Sequence, residues 1–444
     1  MRVVIAGAGE VGTYLAKMLS KENHDIILLD EDKEKLEQLA NQVDLMTVCG
    51  FANSINDLKD AGISKADLFI AVTPFESRNV LACIIAKDLG AKKTLARINN
   101  AEYLKKIHKP RFIELGVDEL IYPETLAAKE IIASVKQPGA RVTHEFSGGN
   151  LLLLGFKIRE NAPIINKSLN ELGNVSNEFR AVAITREDQT IIPNGKDMIL
   201  SGDIVYFVTT RSAMLDLYEK TGKIFFGVKN IMILGGSRIA QKTAEELSGQ
   251  LNVKIIDIDK ERCQQIADRL NNVLVINGDG RNLELLKEEG IEKMDAFIAV
   301  TGNSETNILT CQLAKKMGVK RTVAEIENID FISLAEQVGI GSVINKKYIA
   351  ASFIYRYSMN SEISSVKCLS STDAEAVEVI VKKGSKVTQS LVKDLDFPYD
   401  AIIGGVIRGE HGFIAKGDTQ IKEGDKVVVF VLPSAIKKID KFFR

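Results

Sequence analysis

A glycine-rich loop near the start of the chain has the residue types and spacing that bind a dinucleotide. It follows an apolar run, opens a stretch with helical spacing, and reads Gly7, Ala8, Gly9, Glu10, Val11 and Gly12. Gly7 permits a tight turn, Gly9 lets backbone N–H groups approach a pyrophosphate, and Gly12 lets the helix press on the strand. Asp30 follows about 20 residues later, where it can accept from both ribose hydroxyls. Because its charge repels a 2′-phosphate, the pattern predicts a site that prefers NAD(H) to NADP(H).

Further candidates follow later strands whose ends reach the same crevice. Thr73 and Pro74 come directly after the fourth predicted strand, and Arg97 and Ile98 close the fifth. Ligands of open parallel sheets bind outside the carboxyl ends of the strands. Arg97 either faces a ligand phosphate or forms a surface salt bridge, and periodicity does not separate the two. Phe51, after the third strand, either packs against adenine or fills the sheet edge.

The first domain is written out a second time. Residues 1–105 match residues 229–333, so that the run Asp67–Thr73 aligns with Asp295–Thr301. A repeat of this length is a duplicated domain rather than a solenoid unit, since each copy can bury its own core. The chain is therefore predicted to carry two related binding domains.

The second copy keeps the outline of the site but not its details. Its candidate ligand-binding residues are Gly235, Gly236, Ser237, Arg238, Ile239, Asp257, Asp279, Thr301, Gly302 and Glu325. Ser237 and Ala240 replace the second and third glycines, and Glu325 stands where the first copy has Arg97. These changes add side-chain atoms where a pyrophosphate and a strand approach, and they reverse a charge. Arg238 could compensate by meeting phosphate, so we predict weaker or different binding, with a relic domain kept for assembly as the alternative.

Alternating strand and helix patterns surround both loops. Short apolar runs and amphipathic stretches alternate across residues 1–122 and 229–347, which predicts right-handed βαβ units. The predicted fold class is α/β, with duplicated Rossmann-like, doubly wound parallel sheets. Each is followed by a small α+β module, at 140–222 and 365–444, with short strands, Gly-Asp turns and no gathered set of reactive side chains. An amphipathic helix near 123–135 has no further strand to cover and could cross to a neighbouring subunit.

The composition excludes several classes of protein. The chain has 444 residues, 45% hydrophobic and 26% charged, and a net charge of −1. This balance offers no general attraction to nucleic acid or anionic lipid, and no apolar run is long enough for a membrane span. The 5 cysteines form no Cys-x-x-Cys pair and the 4 histidines have no metal-ligand spacing. We therefore expect a reducing, cytoplasmic setting and no metal site.

Over its whole length the sequence resembles the tandem RCK (KTN) domain family of Trk potassium uptake regulators. The matching features are the glycine loop with Asp30, the paired Asp-x-Phe-Ile-Ala-Val-Thr runs, and the doubled order of RCK nucleotide-binding domain and RCK C-terminal module. The resemblance implies a gating subunit, assembled as a homotetramer beneath a membrane channel subunit of the TrkH class at the inner face of the cell membrane. It also implies regulation by NAD(H), ATP or ADP. The binding positions that it implies are Gly7–Val11, Asp30, Thr73, Pro74, Arg97, Ile98, Gly235–Ile239, Asp257, Thr301, Gly302 and Glu325.

The absence of a repeated acid–base group favours regulation over catalysis. A dehydrogenase adds a substrate domain with an acid–base residue near the nicotinamide. The β-rich modules offer no candidate His, Lys or Tyr that repeats. We therefore predict a protein that is not an enzyme. A soluble NAD-dependent oxidoreductase is the alternative, and a stand-alone ligand sensor for another partner stays open.

Overall fold

The chain forms two compact units. The computed structural model describes residues 1–20, 24–175, 178–187, 189–355, 357, 363–368 and 374–443. The first unit comprises Met1–Leu126 and Lys346–Asn360, and the second comprises Ala127–Asn345 and Ser361–Arg444. None of the described helices is long and apolar enough to cross a membrane.

The first unit is built on a parallel sheet flanked by helices. Its strands are β1 (Arg2–Ala6), β2 (Asp25–Asp30), β3 (Met46–Cys49), β4 (Leu68–Ala71), β5 (Lys93–Arg97) and β6 (Glu119–Ile121), in the order β3-β2-β1-β4-β5-β6. Its helices are α1 (Glu10–Ser20), α2 (Lys33–Ala40), α3 (Ile55–Asp60), α4 (Glu76–Asp88) and α5 (Lys109–Glu114), and α6 (Pro123–Lys136) begins here. The chain moves outward from β1 to β3 and restarts at β4 beside β1. The ends of β1 and β4 therefore flank the crevice in which ligands of such sheets bind.

Apolar sequence explains why these strands are central. Strand β4 reads Leu-Phe-Ile-Ala and every residue of it is buried, as expected for a strand covered by helices on both faces. Phe69 of β4 packs in one core with Val4 of β1 and Cys83 of α4. At the start of α2, the Asp32 carboxylate accepts from the backbone N–H groups of Glu34 and Lys35, a cap that fixes where the helix begins.

A small antiparallel sheet follows in the second unit. Its strands are β7 (Val142–Phe146), β8 (Leu151–Lys157), β9 (Phe179–Arg186), β10 (Gln189–Ile191) and β11 (Ile204–Thr209), in the order β10-β9-β11-β8-β7. Its helices are α7 (Leu169–Val175) and α8 (Met214–Lys220). We refer to this part as the first β-rich module.

The second parallel sheet repeats the first. Its strands are β12 (Asn230–Leu234), β13 (Asn252–Asp257), β14 (Val273–Asn277), β15 (Ala296–Ala299), β16 (Arg321–Glu325) and β17 (Ser342–Ile344), in the order β14-β13-β12-β15-β16-β17. Its helices are α9 (Arg238–Leu247), α10 (Lys260–Arg269), α11 (Leu283–Glu288), α12 (Ser304–Lys316), α13 (Asp330–Gln337) and α14 (Lys346–Tyr355). The predicted duplication of doubly wound sheets is confirmed.

The second β-rich module repeats the topology of the first. Its strands are β18 (Ile363–Cys368), β19 (Glu375–Ile380), β20 (Ala401–Arg408), β21 (His411–Ile414) and β22 (Lys426–Val431), in the order β18-β19-β22-β20-β21, and it ends in α15 (Ile436–Phe443). Residues of both modules share one core, in which the rings of Phe146 and Phe430 lie 6.5 Å apart edge to face. A Cβ on Gly404 would lie 3.0 Å from Val208, so glycine there permits the sheets to approach closely.

The Gly-Asp turns of the two modules hold equivalent ion pairs. The Arg186 guanidinium donates to both carboxylate oxygens of Asp203, each at 2.8 Å, and Arg408 donates to Asp425 at the same distances. Both aspartate side chains are 2% exposed. The carboxylates raise the pKa of both arginines. Bidentate pairing satisfies a buried charge that would otherwise oppose folding.

Each parallel sheet receives a helix from the other copy of the repeat. Helix α14 belongs to the first unit, where Tyr348 stacks on Tyr14 of α1 at 4.3 Å between ring centroids. Helix α6 lies in the second unit from Ala127 onward, and there the Ser134 hydroxyl accepts from Arg321 of β16 at 2.6 Å. Within the single chain, α6 therefore crosses to the second parallel sheet, and the expected contact with a neighbouring subunit stays a prediction. In both copies the helix after the last strand leaves its own sheet, because that sheet has no further strand for the helix to cover.

Candidate nucleotide site

Each glycine in the loop of the first copy has a different structural role. Gly7 has φ +113°, and a Cβ on it would lie 3.0 Å from the backbone nitrogen of Thr73. A Cβ on Gly12 would collide with the carbonyl oxygen of Gly7, whereas one on Gly9 would meet no atom within 4 Å. The space beside Gly9 is thus open at the N-terminal end of α1, where a helix favours an anion.

Asp30 is held in place by the loop that it faces. One carboxylate oxygen accepts from the backbone N–H of Ala8 at 2.5 Å, and the other accepts from Asp32 N–H at 2.9 Å. A carboxylate has about four lone-pair positions, so two such bonds leave acceptor capacity. The partly exposed carboxylate can therefore accept ribose hydroxyls without rearranging the loop.

A buried asparagine links the strand ends on the other side of the crevice. The Thr73 hydroxyl donates to Asn79 Oδ1 at 2.6 Å. The Asn79 amide nitrogen donates to the carbonyls of Thr73 and Arg97, both at 2.9 Å. Asn79 thus fixes the loop after β4 against the end of β5. Sequence reasoning missed this positioning role, although the identity of Asn79 with Asn307 in the repeat was a signal for it.

The remaining first-copy candidates differ in what they can offer a ligand. Arg97 is partly exposed and forms no salt bridge among the described residues, which disfavours the salt-bridge interpretation. Ile98 is fully buried and its N–H donates to Ile121 at 2.8 Å, so its side chain cannot face the crevice. Val11 is likewise buried. Pro74 is exposed, and Glu10 at the loop is ion-paired with Lys347 of α14.

Exposed aromatic rings and an arginine lie beside β3 and β4. Phe51 is 51% exposed and Phe75 is 54% exposed. The Arg78 guanidinium lies 5.9 Å from the first ring centroid and 4.7 Å from the second, and it pairs with Glu31 at 3.2 Å. About half of the Phe51 side chain is therefore exposed at the sheet edge, and its packing against a base stays a prediction. Sequence reasoning missed Phe75 and Arg78, because the contacts of Arg78 with Phe51 and Glu31 join segments that are distant along the chain.

The second copy reproduces the turn but engages its polar groups internally. Gly235 has φ +96°, and Asp257 accepts from Gly236 N–H and from Asp259 N–H at 2.8 Å. Asp257 is buried and also pairs with Arg262 at 3.2 Å. In the first copy, Lys35 stands at the position of Arg262 and pairs with Asp32 at 2.9 Å instead.

In the second copy the side chain of Ser237 occupies the start of helix α9. The Ser237 hydroxyl accepts from Ala240 N–H at 3.3 Å, which caps the helix where the first copy leaves open space. Arg238 is exposed, Ile239 is buried, and Glu325 is buried. A phosphate would have to displace the Ser237 cap to reach the helix end.

The other second-copy candidates divide between retained and altered positions. Thr301 keeps the same link, donating to Asn307 at 2.6 Å, and Gly302 is open. Asp279, at the position of Phe51, pairs with Arg281 at 2.7 Å, and this pairing lowers the pKa of the carboxyl to about 2. The exposed aromatic ring of the first copy is therefore replaced by an ion pair in the second copy.

These features define the class of protein: tandem Rossmann-like nucleotide-binding domains, each followed by a small antiparallel module. The TrkA-N domain model matches residues 3–123 and 231–346, and the TrkA-C domain model matches residues 153–222 and 376–444. The chain therefore belongs to the TrkA family of Trk potassium uptake proteins.

Curated relatives match over the full length. The chain is 32% identical over 454 residues to "Trk system potassium uptake protein TrkA homolog 1" of Methanosarcina mazei, with 100% of both covered. It is 32% identical over 451 residues to "Trk system potassium uptake protein TrkA" of Halomonas elongata, covering 100% of this chain and 99% of the relative. Among solved structures, the "Crystal Structure of the GsuK RCK domain" is similar with TM-score 0.60 and 15% identity, covering 100% of this chain and 94% of that one. At this identity the likeness establishes the fold.

Replacing Asp30 with alanine is expected to weaken NADH binding by about tenfold or more, since hydrogen bonds to a charged group contribute roughly 1.5–3 kcal/mol. Calorimetry with NADH on the full chain would measure the change. Asp257→Ala is the matched control, and we expect it to alter NADH affinity little because Arg262 already engages that carboxylate. An unchanged affinity for Asp30→Ala would contradict the ribose role.

Proposed function

We propose that the chain is the nucleotide-sensing regulatory subunit of a Trk-type potassium uptake channel. The observation that carries this proposal is the first crevice, where open space at Gly9 and the loop-facing carboxylate of Asp30 suit a pyrophosphate and a ribose. NAD(H) is the ligand proposed for this crevice, and ATP or ADP would compete for the same loop. The other residues proposed to line the two crevices are the sequence candidates named above, among which Val11, Ile98 and Ile239 have buried side chains and would offer only main-chain atoms.

Descriptions of related proteins support this choice of ligand. One similar structure is described as "GsuK channel bound to NAD", with TM-score 0.60 over 100% of this chain, and another as "Crystal structure of the GsuK bound to ADP", with TM-score 0.50 over 80% of this chain. Both are under 25% identical to this chain, at 15% and 13%, and their ligands enter as support for the proposal. The names of the full-length relatives describe Trk potassium uptake proteins and support a role in potassium uptake. A regulatory rather than catalytic role is proposed because the β-rich modules offer no repeated acid–base group.

The proposed partner is an integral-membrane channel subunit of the TrkH class, with the chain acting as a homotetramer at the cytoplasmic face of the membrane. Helix α14 offers a route by which a bound nucleotide could act beyond its crevice. Its Lys347 pairs with Glu10 of the ligand loop, and its Tyr348 packs on Tyr14. A ligand that moves the loop would therefore also move the start of α14, which directly follows strand β17 of the second parallel sheet. Such coupling requires a different affinity for the two states.

Potassium flux through the reconstituted channel complex is expected to differ between NADH, ATP and ADP. A coupling free energy of 1–3 kcal/mol would shift the half-maximal nucleotide concentration by roughly 5–150-fold between open and closed states. Flux titrated with each nucleotide in proteoliposomes would measure this, and scattering profiles of the complex would report domain motion. Failure of the chain to assemble with the channel, or flux that ignores all three nucleotides, would contradict the proposal.

A further inference from the structure

Basic side chains from three separate segments gather at one end of the first β-rich module: Arg141, Lys157, Arg159 and Lys223 (the basic cluster). Arg141 N–H donates to the carbonyl of Gly155, at 2.8 Å, on the strand that ends at Lys157. The turn that begins at Arg159 packs against the segment after α8, where a Cβ on Gly222 would lie 3.1 Å from Ala162 Cα. Main-chain contacts thus bring these segments together.

Within the described residues no salt bridge neutralises the basic cluster, and the charge of Glu336 offsets only part of it, at Arg141. In the described part of the chain none of its members forms a salt bridge, whereas the nearby Arg186 pairs with Asp203. Burial, together with the charges of Arg159, Arg141 and Lys157, lowers the pKa of Lys223 to about 8. Burial also lowers the pKa of Arg141, the charge of Glu336 raises it, and Arg159 opposes that effect. Like charges therefore repel here at a cost to folding.

Partial burial distinguishes this cluster from an ordinary solvated face. Lys157 and Arg159 are exposed, but Arg141 and Lys223 are half-buried. Arg141 lines a cleft with Ile204, Tyr206, Glu336, Gly341 and Ser342, and its guanidinium donates to the carbonyl of Glu336 at 3.3 Å. The partly buried Arg141 and Lys223 act more strongly on an anion than fully hydrated cations would.

We propose that the basic cluster is a binding site for a phosphate-bearing anion with at least two negative charges. Such a ligand supplies the charge that the protein leaves uncompensated, and the lysines and arginines donate to its oxygens. The second β-rich module keeps only part of the arrangement, because Ile380 stands at the position of Lys157 whereas Lys382 retains a cation at that of Arg159. The proposed site belongs to the first β-rich module and shares no residue with either glycine loop.

Calorimetry with sodium pyrophosphate tests the proposal on the full-length protein. We expect binding both in the wild-type chain and in a Gly9→Asp variant whose first glycine loop is blocked. Lys223→Gln and Arg159→Gln should each weaken it by about tenfold or more, on the scale of charge-assisted hydrogen bonds. Lys382→Gln, the counterpart of Arg159→Gln in the second module, should leave it unchanged. Pyrophosphate binding that survives both cluster substitutions would overturn the proposal.

The titration of Lys223 gives an independent readout. An anion stabilises the charged amine, so NMR of dimethylated lysines should show the Lys223 pKa rising when pyrophosphate is added. For the same reason binding should weaken as the pH rises from 7 through 8, where the free lysine loses its proton. The groups that face Lys223 are Arg141, Arg159 and Lys157, with Glu336 beyond Arg141. An unchanged titration in saturating pyrophosphate would contradict direct contact.

Two further measurements separate the sources of the phosphate and exclude misfolding. Sedimentation with phosphatidylcholine vesicles, with and without phosphatidic acid, tests a lipid headgroup, whereas pyrophosphate binding alone supports a soluble ligand. If neither binds, the proposal fails. Lys223→Gln should melt at the same or a higher temperature than wild type in the absence of anion, since it removes a buried, repelled charge. NADH affinity should not change, so this result is distinguishable from a failure of the proposed nucleotide site.

Discussion

Replacing Gly9 with aspartate is expected to abolish NADH binding while leaving the fold intact. A side chain at this position meets no protein atom within 4 Å, and aspartate is a favourable residue directly before a helix such as α1. The carboxylate would occupy the space proposed for the pyrophosphate. Two unit charges about 4 Å apart repel by roughly 4 kcal/mol at an effective dielectric near 20. We therefore expect at least about a 100-fold loss of affinity by calorimetry, with an unchanged melting temperature.

Ser237→Asp is the matched control for Gly9→Asp. Ser237 already caps α9 by accepting from Ala240 N–H at 3.3 Å, and aspartate can make the same cap. Because Asp257 and the helix end are engaged internally in this copy, we expect NADH binding and potassium flux to change little. If Ser237→Asp removed NADH binding as completely as Gly9→Asp, the inferred difference between the two crevices would be wrong.

Replacing Arg186 with methionine should destabilise the second unit by roughly 3 kcal/mol, because it strands a buried carboxylate. Asp203 is 2% exposed and would keep only the N–H of Leu200, at 2.9 Å, as a donor outside the lost pair. Arg408→Met should have a similar effect through Asp425. For a unit of this size the midpoint of thermal unfolding would fall by several degrees. Differential scanning fluorimetry and urea unfolding monitored by circular dichroism would measure the loss.

An exposed ion pair of the same module gives the comparison. Arg211 and Glu145 lie 3.5 Å apart with side chains 65% and 36% exposed. Exposed pairs contribute about 0–1 kcal/mol, so Arg211→Met should shift unfolding much less than Arg186→Met. Equal shifts for the two variants would show that burial of Asp203 does not set the cost.

The difference between the two crevices has a physical meaning for a sensor. In the first copy Asp30, the start of α1 and the exposed Phe51 face solvent. A ligand there would therefore displace few protein contacts. In the second copy Arg262 and Ser237 make the corresponding contacts within the chain. A ligand there must first break them. The duplication is therefore consistent with one responsive crevice and one that is held closed by its own side chains.

The sequence by itself determined the duplicated sheets and the outline of the first site. Glycine spacing, the acid after the second strand and apolar runs act through near neighbours along the chain. The turn at Gly7 depends on a local dihedral angle, and the helix approach at Gly12 depends on its missing Cβ. Local signals of this kind are legible without a structure. The sequence also indicated Asp203 and Asp425 as turn residues, but it did not indicate their arginine partners.

Only the tertiary structure decided what lies between residues distant along the chain. It showed that Arg262 closes on Asp257, that Asn79 links the ends of β4 and β5, and that α14 returns to the first unit. It also gathered Arg141 and Lys223 into the basic cluster, where the sequence showed two unremarkable cations. Periodicity reports which face of an element is apolar, but not which side chains from other elements will share its polar edge. Those pairings depend on long-range packing, and they set the charge and accessibility of each site.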